Sequence, residues 1–184
     1  MDIRAELCRA AEDYAAGVLT DAYRHFGCRK MPDADAWLFA VYAPAAQRVC
    51  LAGDFNGWDA AACPMERAGR AWFAVVPGAR QGQVYKYAVT GPDGCVTLKS
   101  DPFAAHWETG PGTGSKVWER GGLEWGDGAW LASRRERDII ASPVSIYEVH
   151  LGSWRVGRDE TYPWYRSAAD KLAQYCTDMG YTHV

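Results

Sequence analysis

Residues 37–58 constrain the fold of this chain most strongly, because they hold two apolar runs that end in a glycine-rich turn. In the first run, residues 37–42, both alternating sides are apolar, which predicts a β-strand buried between two layers. A second run at residues 49–52 leads into the turn at residues 53–58, which contains an Asn-Gly pair. Such a pair predicts a tight reversal, and this one directs the indole of Trp58 towards the rim of a sheet.

An exposed tryptophan at that position has two interpretations. An indole is flat and amphipathic, so Trp58 is suited to lie against the C–H face of a sugar ring. The same residue in an ordinary β-sandwich would only cover an edge of the core. The pattern of the residues leaves both interpretations open.

The composition and net charge of the chain limit the kinds of molecule that it is expected to bind. The chain has 184 residues, a hydrophobic share of 48% with nine Trp and ten Tyr, and a net charge of -3. This charge argues against nucleic acid or an anionic membrane surface as a partner, whereas a neutral polysaccharide makes no electrostatic demand. No apolar run reaches the length of a membrane span, and the N-terminal residues lack the apolar core of a signal peptide, so we expect a cytoplasmic protein.

The six cysteines are scattered along the chain without a C-x-x-C pair or a neighbouring histidine at ligand spacing. We therefore expect reduced, mostly buried thiols, no metal site and no cofactor.

The first segment predicts an amphipathic helix, since apolar residues recur with a period near 3.6 between Asp2 and His25. Gly17 is expected to divide it, and Gly27 to end it.

A lysine stands in the middle of a later apolar strand. Residues 72–76 and 84–89 are predicted to form a hairpin, with residues 77–82 as the turn. On the returning strand Lys86 must face away from Tyr85 and Tyr87, because strand side chains alternate. Its ammonium either extends into solvent or donates hydrogen bonds to a ligand such as a sugar hydroxyl.

Two stretches together resemble a known family. FAVYAPAAQRVCLAGDFNGWD and VYKYAVTGPDG look like the two signatures of the family 48 carbohydrate-binding module. The resemblance implies an immunoglobulin-like β-sandwich that binds α-glucan, glycogen or a starch-like polysaccharide, through Trp58 and Lys86. Glucan-binding relatives carry a second tryptophan where this chain has residues 93–97, which lack one. One stacking ring contributes about 1–3 kcal/mol by analogy with nucleic-acid platforms, so we expect weak binding.

The end of the chain has its own pattern. PVSIYEVHLGSW predicts a strand, residues 155–164 a polar loop, residues 165–179 an amphipathic helix, and residues 181–184 a second strand. Strand, helix and strand in this order predict a βαβ unit. The segment resembles the first barrel strand, first helix and second strand of 1,4-α-glucan branching enzymes, which have a family 13 glycoside hydrolase barrel. KSDPFA, SKVW and LEWGDGAW resemble the same enzymes in the same order.

The branching-enzyme resemblance also bears on catalysis. It implies a retaining mechanism with a carboxylate nucleophile and a carboxylic acid on the fourth, fifth and seventh barrel strands, beyond Val184. Glu148 and His150 share one strand face but do not form a flanking pair, so we assign no catalytic residue to this chain. His150 is expected to line the sugar cleft of an intact enzyme.

We therefore predict a mainly β chain: an immunoglobulin-like β-sandwich, preceded by a helical segment and followed by the first βαβ unit of an incomplete (β/α)8 barrel. The expected domains are a helical lead-in at 1–33, the sandwich at 34–106, an inter-domain wrap at 107–142 and the barrel start at 143–184. The expected function is that of an N-terminal, catalytically inactive fragment of a branching enzyme of glycogen biosynthesis, partnered by the missing C-terminal barrel portion. The alternative is a stand-alone glucan-binding or scaffolding module.

Overall fold

The computed structural model describes residues 2–32, 34–121, 124–138, 140–155 and 165–184. It divides into two compact units, Met1–Gly122 and Leu123–Val184, called unit 1 and unit 2 below. Each unit is described by itself.

Unit 1 begins with helix α1, Ile3–Ala15, whose first turn is capped by the Asp2 carboxylate, which accepts a hydrogen bond from the backbone N–H of Ala5 at 3.1 Å. The helix ends just before Gly17, which adopts a left-handed conformation (φ 74°), so the predicted break is confirmed, whereas no second α-helix forms before His25. A short 3-10 helix, Ala22–Arg24, follows it.

The described residues of unit 1 also form nine β-strands. They are β1 (Gly27–Lys30), β2 (Ala36–Tyr42), β3 (Arg48–Gly53), β4 (Glu66–Ala68), β5 (Ala71–Pro77), β6 (Val84–Thr90), β7 (Val96–Lys99), β8 (His106–Trp107) and β9 (Ser115–Lys116). The first sheet has the order β1-β2-β5-β4, and the second has the order β3-β6-β9-β8 with β7 also paired to β6. All pairs are antiparallel, which confirms the predicted mainly β sandwich.

The strand β2 is buried on both of its faces, as predicted. Trp37, Phe39 and Val41 pack with residues of both sheets in the core between them. Leu38 and Ala40 point the other way, into a second cluster that contains the buried side chains of α1. Helix α1 therefore covers the outer face of the first sheet, and β2 lies between two apolar layers.

The predicted hairpin of residues 72–89 is wrong, because β5 lies in the first sheet and β6 in the second. The connection between them crosses from one sheet to the other. The backbone N–H of Gly78 donates to the carbonyl of Asp35, just before β2, at 3.0 Å, and that of Gly82 donates to Val117, just after β9, at 2.8 Å. Ala79, which lies between these two glycines in the chain, is buried in the core between the sheets. Two strands with apolar faces can bury them either across a sandwich, in opposite sheets, or side by side in one sheet. The apolar pattern alone therefore does not distinguish the two arrangements.

The sandwich extends at both ends beyond the range 34–106 predicted for it. The strand β9, which pairs with β6 and β8, lies within the residues expected to form the wrap, and β1 precedes the predicted start. The domain boundaries given above remain a prediction.

Unit 2 contains the helices α2, Gly128–Glu136, and α3, Tyr165–Asp178. Ile146 and His183 form an isolated parallel bridge, and the N–H of Tyr147 donates to the carbonyl of His183 at 2.9 Å. A helix and a parallel bridge at these positions agree with the order of the predicted βαβ unit. Most of the predicted polar loop, residues 156–164, lies outside the described residues, and the barrel start remains a prediction.

Candidate functional site

The outer face of the second sheet is the surface that the sequence singled out. On β6, Tyr85 and Tyr87 point into the core and are almost completely buried, so Lys86 between them projects outwards. The orientation predicted for Lys86 is thereby confirmed. The antiparallel register places Ala52 of β3 directly opposite Lys86, and Leu98 of β7 opposite Ala88. Since opposite residues share a face, small and aliphatic side chains surround the lysine.

Trp58 stands at the rim of this face, on the turn that follows β3. The turn is a 3-10 helix, Asp54–Asn56, after which Gly57 and Trp58 both have positive φ angles, 63° and 65°. The Asn56 side chain fixes it, because its Oδ1 accepts from the N–H of Gly53 at 3.0 Å and its Nδ2 donates to the carbonyl of Leu51 at 2.9 Å. The side chain of Trp58 is 42% exposed, as a rim position requires.

The carboxylate of Asp54 links this tryptophan to the lysine strand. Its Oδ1 accepts a hydrogen bond from the indole N–H of Trp58 at 2.9 Å, and its Oδ2 accepts one from the backbone N–H of Val84 at 2.8 Å. Val84 lies two residues before Lys86 on β6. Asp54 thus holds the ring of Trp58 beside the strand that carries Lys86. The sequence analysis missed this residue, although an acidic side chain four positions before a rim tryptophan is a signal that could have found it.

Lys86 is not simply extended into solvent. Its Nζ donates to the hydroxyl of Thr113 at 2.6 Å, and the Ser100 hydroxyl donates to the Thr113 carbonyl. An ammonium has three N–H donors, so one bond to Thr113 leaves capacity for a ligand. The bond also holds the stem of the lysine in one direction across the face of the sheet. Thr113 was not singled out from the sequence.

The loop that carries Thr113 is held tightly against the sheet. The N–H of Gly114 donates to the Glu108 carboxylate at 2.7 Å, and the N–H of Glu108 donates to the carbonyl of Gly114 at 3.0 Å. A Cβ at position 114 would stand only 2.3 Å from Cγ1 of Val84 and 2.7 Å from the Glu108 carboxylate, so any larger residue requires these side chains to move. The close approach fixes the position of Thr113 relative to Lys86.

The place of the missing second tryptophan is occupied by aliphatic side chains. The turn before β7 is closed by Asp93, whose carboxylate accepts from the N–H of Cys95 at 3.0 Å. Val96 and Leu98 of β7 are both more than half exposed. This part of the face is apolar but offers no aromatic plane for a sugar to stack upon.

A buried polar cluster lies behind the outer face. The hydroxyls of Tyr85 and Tyr87 both donate to Oδ2 of Asp101, at 2.6 and 3.0 Å, and the N–H of Phe103 donates to its Oδ1 at 2.8 Å. Burial raises the pKa of the Asp101 carboxyl above its ordinary value, against the lowering effect of these bonds. Burial also raises the pKa values of both tyrosines, so they remain protonated donors. The cluster ties β6 to the segment after β7.

His150, the third site residue predicted from the sequence, lies in unit 2. It is exposed, its Nδ1 is 3.2 Å from the hydroxyl of Ser153, and its carbonyl accepts from the N–H groups of Ser153 and Trp154. It stands at the start of a turn, without regular strand structure around it. The proposal that it lines a sugar cleft remains a prediction, and Glu148 is likewise exposed.

The described residues also bear on whether the chain has a metal site, a reactive thiol or a membrane-spanning helix. The described part of the chain contains no group of three His, Cys, Asp or Glu side chains arranged to hold a metal ion. All six cysteines are free thiols, and burial raises the pKa of Cys28. Among the described helices, none has both the length and the apolar character needed to cross a bilayer.

Comparison with known proteins bears on the same residues. Residues 25–104 match the family Carbohydrate-binding module 48 (Isoamylase N-terminal domain), and this range contains both Trp58 and Lys86. The chain is similar to the 1,4-alpha-glucan branching enzyme GlgB of Nitratidesulfovibrio vulgaris (strain DP4), with 44% identity over 169 residues, 88% of this chain and 26% of that protein. It is 47% identical over 148 residues to the enzyme of the same name from Pseudomonas aeruginosa, covering 79% of this chain and 20% of that protein.

A solved structure has a similar fold. A crystal structure from Salmonella typhimurium, described as that of an alpha amylase, superposes with a TM-score of 0.54 at 22% identity, covering 85% of this chain and 23% of that one. The resemblance stated from the sequence is thereby confirmed. The chain spans about a quarter of the length of the curated relatives it matches.

Proposed function

Because residues 25–104 match carbohydrate-binding module 48, we propose that the outer face of the second sheet binds α-glucan chains. Trp58 is the stacking platform, and the ammonium of Lys86 donates hydrogen bonds to sugar hydroxyls. The observation that carries the proposal is the Asp54 carboxylate, which bonds to the indole of Trp58 and to the strand of Lys86. A fixed ring and a fixed donor lose little conformational freedom when a ligand binds, which favours binding.

The affinity is expected to be low. At the position where relatives carry a second ring, Val96 and Leu98 are exposed instead and offer no aromatic plane. A stacking ring contributes about 1–3 kcal/mol, so one missing ring costs about tenfold in affinity or more.

Native electrophoresis in gels that contain glycogen or amylopectin tests this function. We expect the wild-type chain to be retarded by the polysaccharide, and Trp58→Ala to lose most of the retardation. Lys86→Met keeps the aliphatic stem but removes the donor, so it should lose part of it. Absence of retardation of the wild type, or equal retardation of wild type and Trp58→Ala, would refute the site.

Matched variants make the comparison specific. Trp130→Ala removes an exposed tryptophan of unit 2, and Lys99→Met removes an exposed lysine from the strand next to β6. Both controls should migrate as the wild type does. A loss of retardation as large in Trp130→Ala as in Trp58→Ala would show that retardation reflects general exposure of indole rings.

For the whole protein we propose a larger role. The 184 residues are the N-terminal part of a cytoplasmic 1,4-α-glucan branching enzyme, which transfers glucan segments from α-1,4 to α-1,6 linkage. Sequence identity above 40% with about a quarter of the length of such enzymes supports this role. The six free thiols agree with a reducing compartment. The chain itself is expected to be inactive. A fall in iodine absorbance of amylose on incubation with the chain would contradict that expectation.

A second candidate is a stand-alone glucan-binding or scaffolding module. It is favoured by one observation, the two buried clusters that unit 1 forms from its own residues. Co-purification of the chain with a separate polypeptide that supplies branching activity would favour a scaffold. Recovery of activity in one longer polypeptide that begins with these residues would favour the enzyme.

A further inference from the structure

A cleft of about 290 Å³ opens in unit 1, and its lining includes neither Trp58 nor Lys86. Its walls come from the 3-10 helix before β1, from β1 itself, and from residues 118–120 after β9. We call it the cationic cleft, because four of its lining side chains are basic: Arg24, Arg29, Lys30 and Arg120.

The concentration of positive charge is opposite to the charge of the whole chain. The chain has 23 acidic against 20 basic residues, whereas the cleft has one acidic residue, Glu119, against four basic ones. Two of the cations have acidic partners outside the lining. Arg29 donates to Glu6 at 3.1 Å, and Arg24 is 3.8 Å from the Asp21 carboxylate.

The other two cations form no such ion pair, although Arg120 lies close enough to the buried Asp101 to oppose the rise in the pKa of that carboxyl. In the described part of the chain no carboxylate lies within 4 Å of the charged nitrogens of Lys30 or Arg120. Arg120 instead donates to the backbone carbonyl of Phe103 at 2.9 Å. Like charges gathered in one concave site raise the local concentration of anions.

Aromatic side chains hold the guanidinium groups in place. The ring of Tyr23 has Arg120 at 5.1 Å and Arg24 at 5.9 Å from its centroid, so two cations share one ring. Trp118, another wall of the cleft, packs against the ring of His106 with their centroids 4.6 Å apart. The cleft therefore combines planar donors for an anion with apolar planes for a ring.

We propose that the cationic cleft binds a phosphomonoester of a hexose. Guanidinium groups match the geometry of phosphate oxygens, and the half-buried ring of Trp118 offers a surface for the C–H face of the sugar. A volume near the lower end of ligand pockets fits a hexose monophosphate better than a nucleotide. The phosphate ester could belong to a free sugar phosphate or to a phosphorylated glucan, since both present the same group.

Isothermal titration of the full chain with glucose 6-phosphate tests the proposal. We expect saturable binding that weakens as salt is added, weaker binding of inorganic phosphate, and none of glucose. Absence of saturable binding of glucose 6-phosphate would overturn the proposal, and so would equal affinity for inorganic phosphate, because the sugar would then contribute nothing.

The two sources are separated in gels of phosphorylated amylopectin and of the same polymer after phosphatase treatment. The measurement uses the Trp58→Ala variant, so that glucan binding by the outer face of the second sheet does not contribute to the retardation. Stronger retardation by the phosphorylated polymer would identify the glucan ester as a ligand. Equal retardation in both gels, together with binding of glucose 6-phosphate, would restrict the site to free sugar phosphates.

Substitutions locate the site within the chain. Arg120→Gln should weaken binding of glucose 6-phosphate about tenfold or more, the usual effect of one charge-assisted hydrogen bond. Arg24→Gln should act in the same direction, and its exposed position makes it the safer variant for folding. Arg67→Gln is the matched control, because Arg67 also lies over an aromatic ring, that of Trp72, and donates to a backbone carbonyl. Equal losses in the Arg120 and Arg67 variants would refute the location.

These experiments can refute the proposed phosphate site without refuting the proposed glucan site, and the reverse. Trp58→Ala removes the proposed glucan platform and should leave the affinity for glucose 6-phosphate unchanged. A loss of both in Trp58→Ala would overturn the assignment of the phosphate to the cationic cleft.

Discussion

The two units of the chain differ in how they bury their apolar side chains. Unit 1 has two buried clusters, one between its sheets and one beneath α1. In the described part of unit 2 the buried hydrophobic residues are Ala168 and Cys176 alone, while Ile146 and Met179 are more than half exposed. The difference teaches that unit 1 has the apolar burial that stabilises a domain, whereas the described part of unit 2 has little of it.

The same difference applies to the candidate site residues. Lys86 is held by a hydrogen bond to Thr113, 27 residues further along the chain. Trp58 bonds to Asp54 of its own turn, but the same carboxylate also accepts from the N–H of Val84, 30 residues away. His150 bonds within its own turn, three residues away. Long-range bonds fix the position of a functional group, and local ones leave it as mobile as its segment.

The largest expected effect comes from a comparison of one apolar residue from each unit. Leu51→Ala empties space in the core between the sheets, where the side chain is completely buried, and should lower the free energy of unfolding by about 2–5 kcal/mol. Ile146→Ala removes a side chain that is 66% exposed and should cost less than about 1 kcal/mol. Urea unfolding followed by circular dichroism measures both. Equal costs would break the comparison between the units.

The next effect concerns the buried Asp101. In Asp101→Asn an amide NH₂ group replaces one acceptor oxygen beside Tyr85, Tyr87 and the N–H of Phe103, which should cost about 1–3 kcal/mol. The cost should depend on pH. Because the pKa of Asp101 is raised in the folded state above its ordinary value of 3.8, the folded chain retains a proton that the unfolded chain has lost.

The sign of this pH dependence follows from the raised pKa. The stabilisation is complete below the ordinary pKa and is lost as pH rises towards the raised one. The difference in unfolding free energy between wild type and Asp101→Asn should therefore shrink as pH rises above the ordinary pKa of 3.8. Urea titrations at several pH values measure it, and a difference that grows over this range would contradict the buried, proton-retaining carboxyl.

A smaller effect is expected at Asp54. In Asp54→Asn the amide NH₂ must face either the indole N–H of Trp58 or the N–H of Val84, so one of the two bonds is lost. Glucan affinity should fall by a few-fold, about 1 kcal/mol, which is less than for Trp58→Ala. The shift of the Trp58 indole N–H signal in NMR spectra should report the lost bond, a change that a general loss of stability would not cause.

The control for this variant lies on the same loop. Asp59 accepts a hydrogen bond from the N–H of Ala61 and caps the next 3-10 turn, but makes no bond to Trp58. Asp59→Asn should leave both the indole signal and the affinity unchanged. If it weakened binding as much as Asp54→Asn does, the loop as a whole rather than the Asp54 carboxylate would position the ring.

Local patterns explain what the sequence could predict. The alternation around Trp37 and around Lys86 depends only on the geometry of a single strand, and the structure confirms which way these side chains face. The turn before Trp58 could be predicted because Asn-Gly has a strong local preference. Each of these features lies within about ten residues of chain.

Contacts between distant residues could not be predicted in this way. Asp54 reaches Val84 across 30 positions and Lys86 reaches Thr113 across 27. The sheet to which β5 and β6 belong is also decided by such distant pairings, which is why the predicted hairpin is wrong. A single sequence carries no local signal for which of several apolar strands will be neighbours.

The smallest expected effect is at His150. Its side chain is exposed and its contact is with Ser153 in the same turn, so His150→Ala should change the unfolding free energy of this chain by less than about 0.5 kcal/mol. Retardation in glycogen gels should also stay unchanged, because we assign glucan binding to the face of Trp58. In a longer polypeptide with branching activity, the same substitution should lower the rate if His150 lines the sugar cleft. Loss of glycogen binding by His150→Ala in the 184-residue chain would move the proposed site from unit 1 to unit 2.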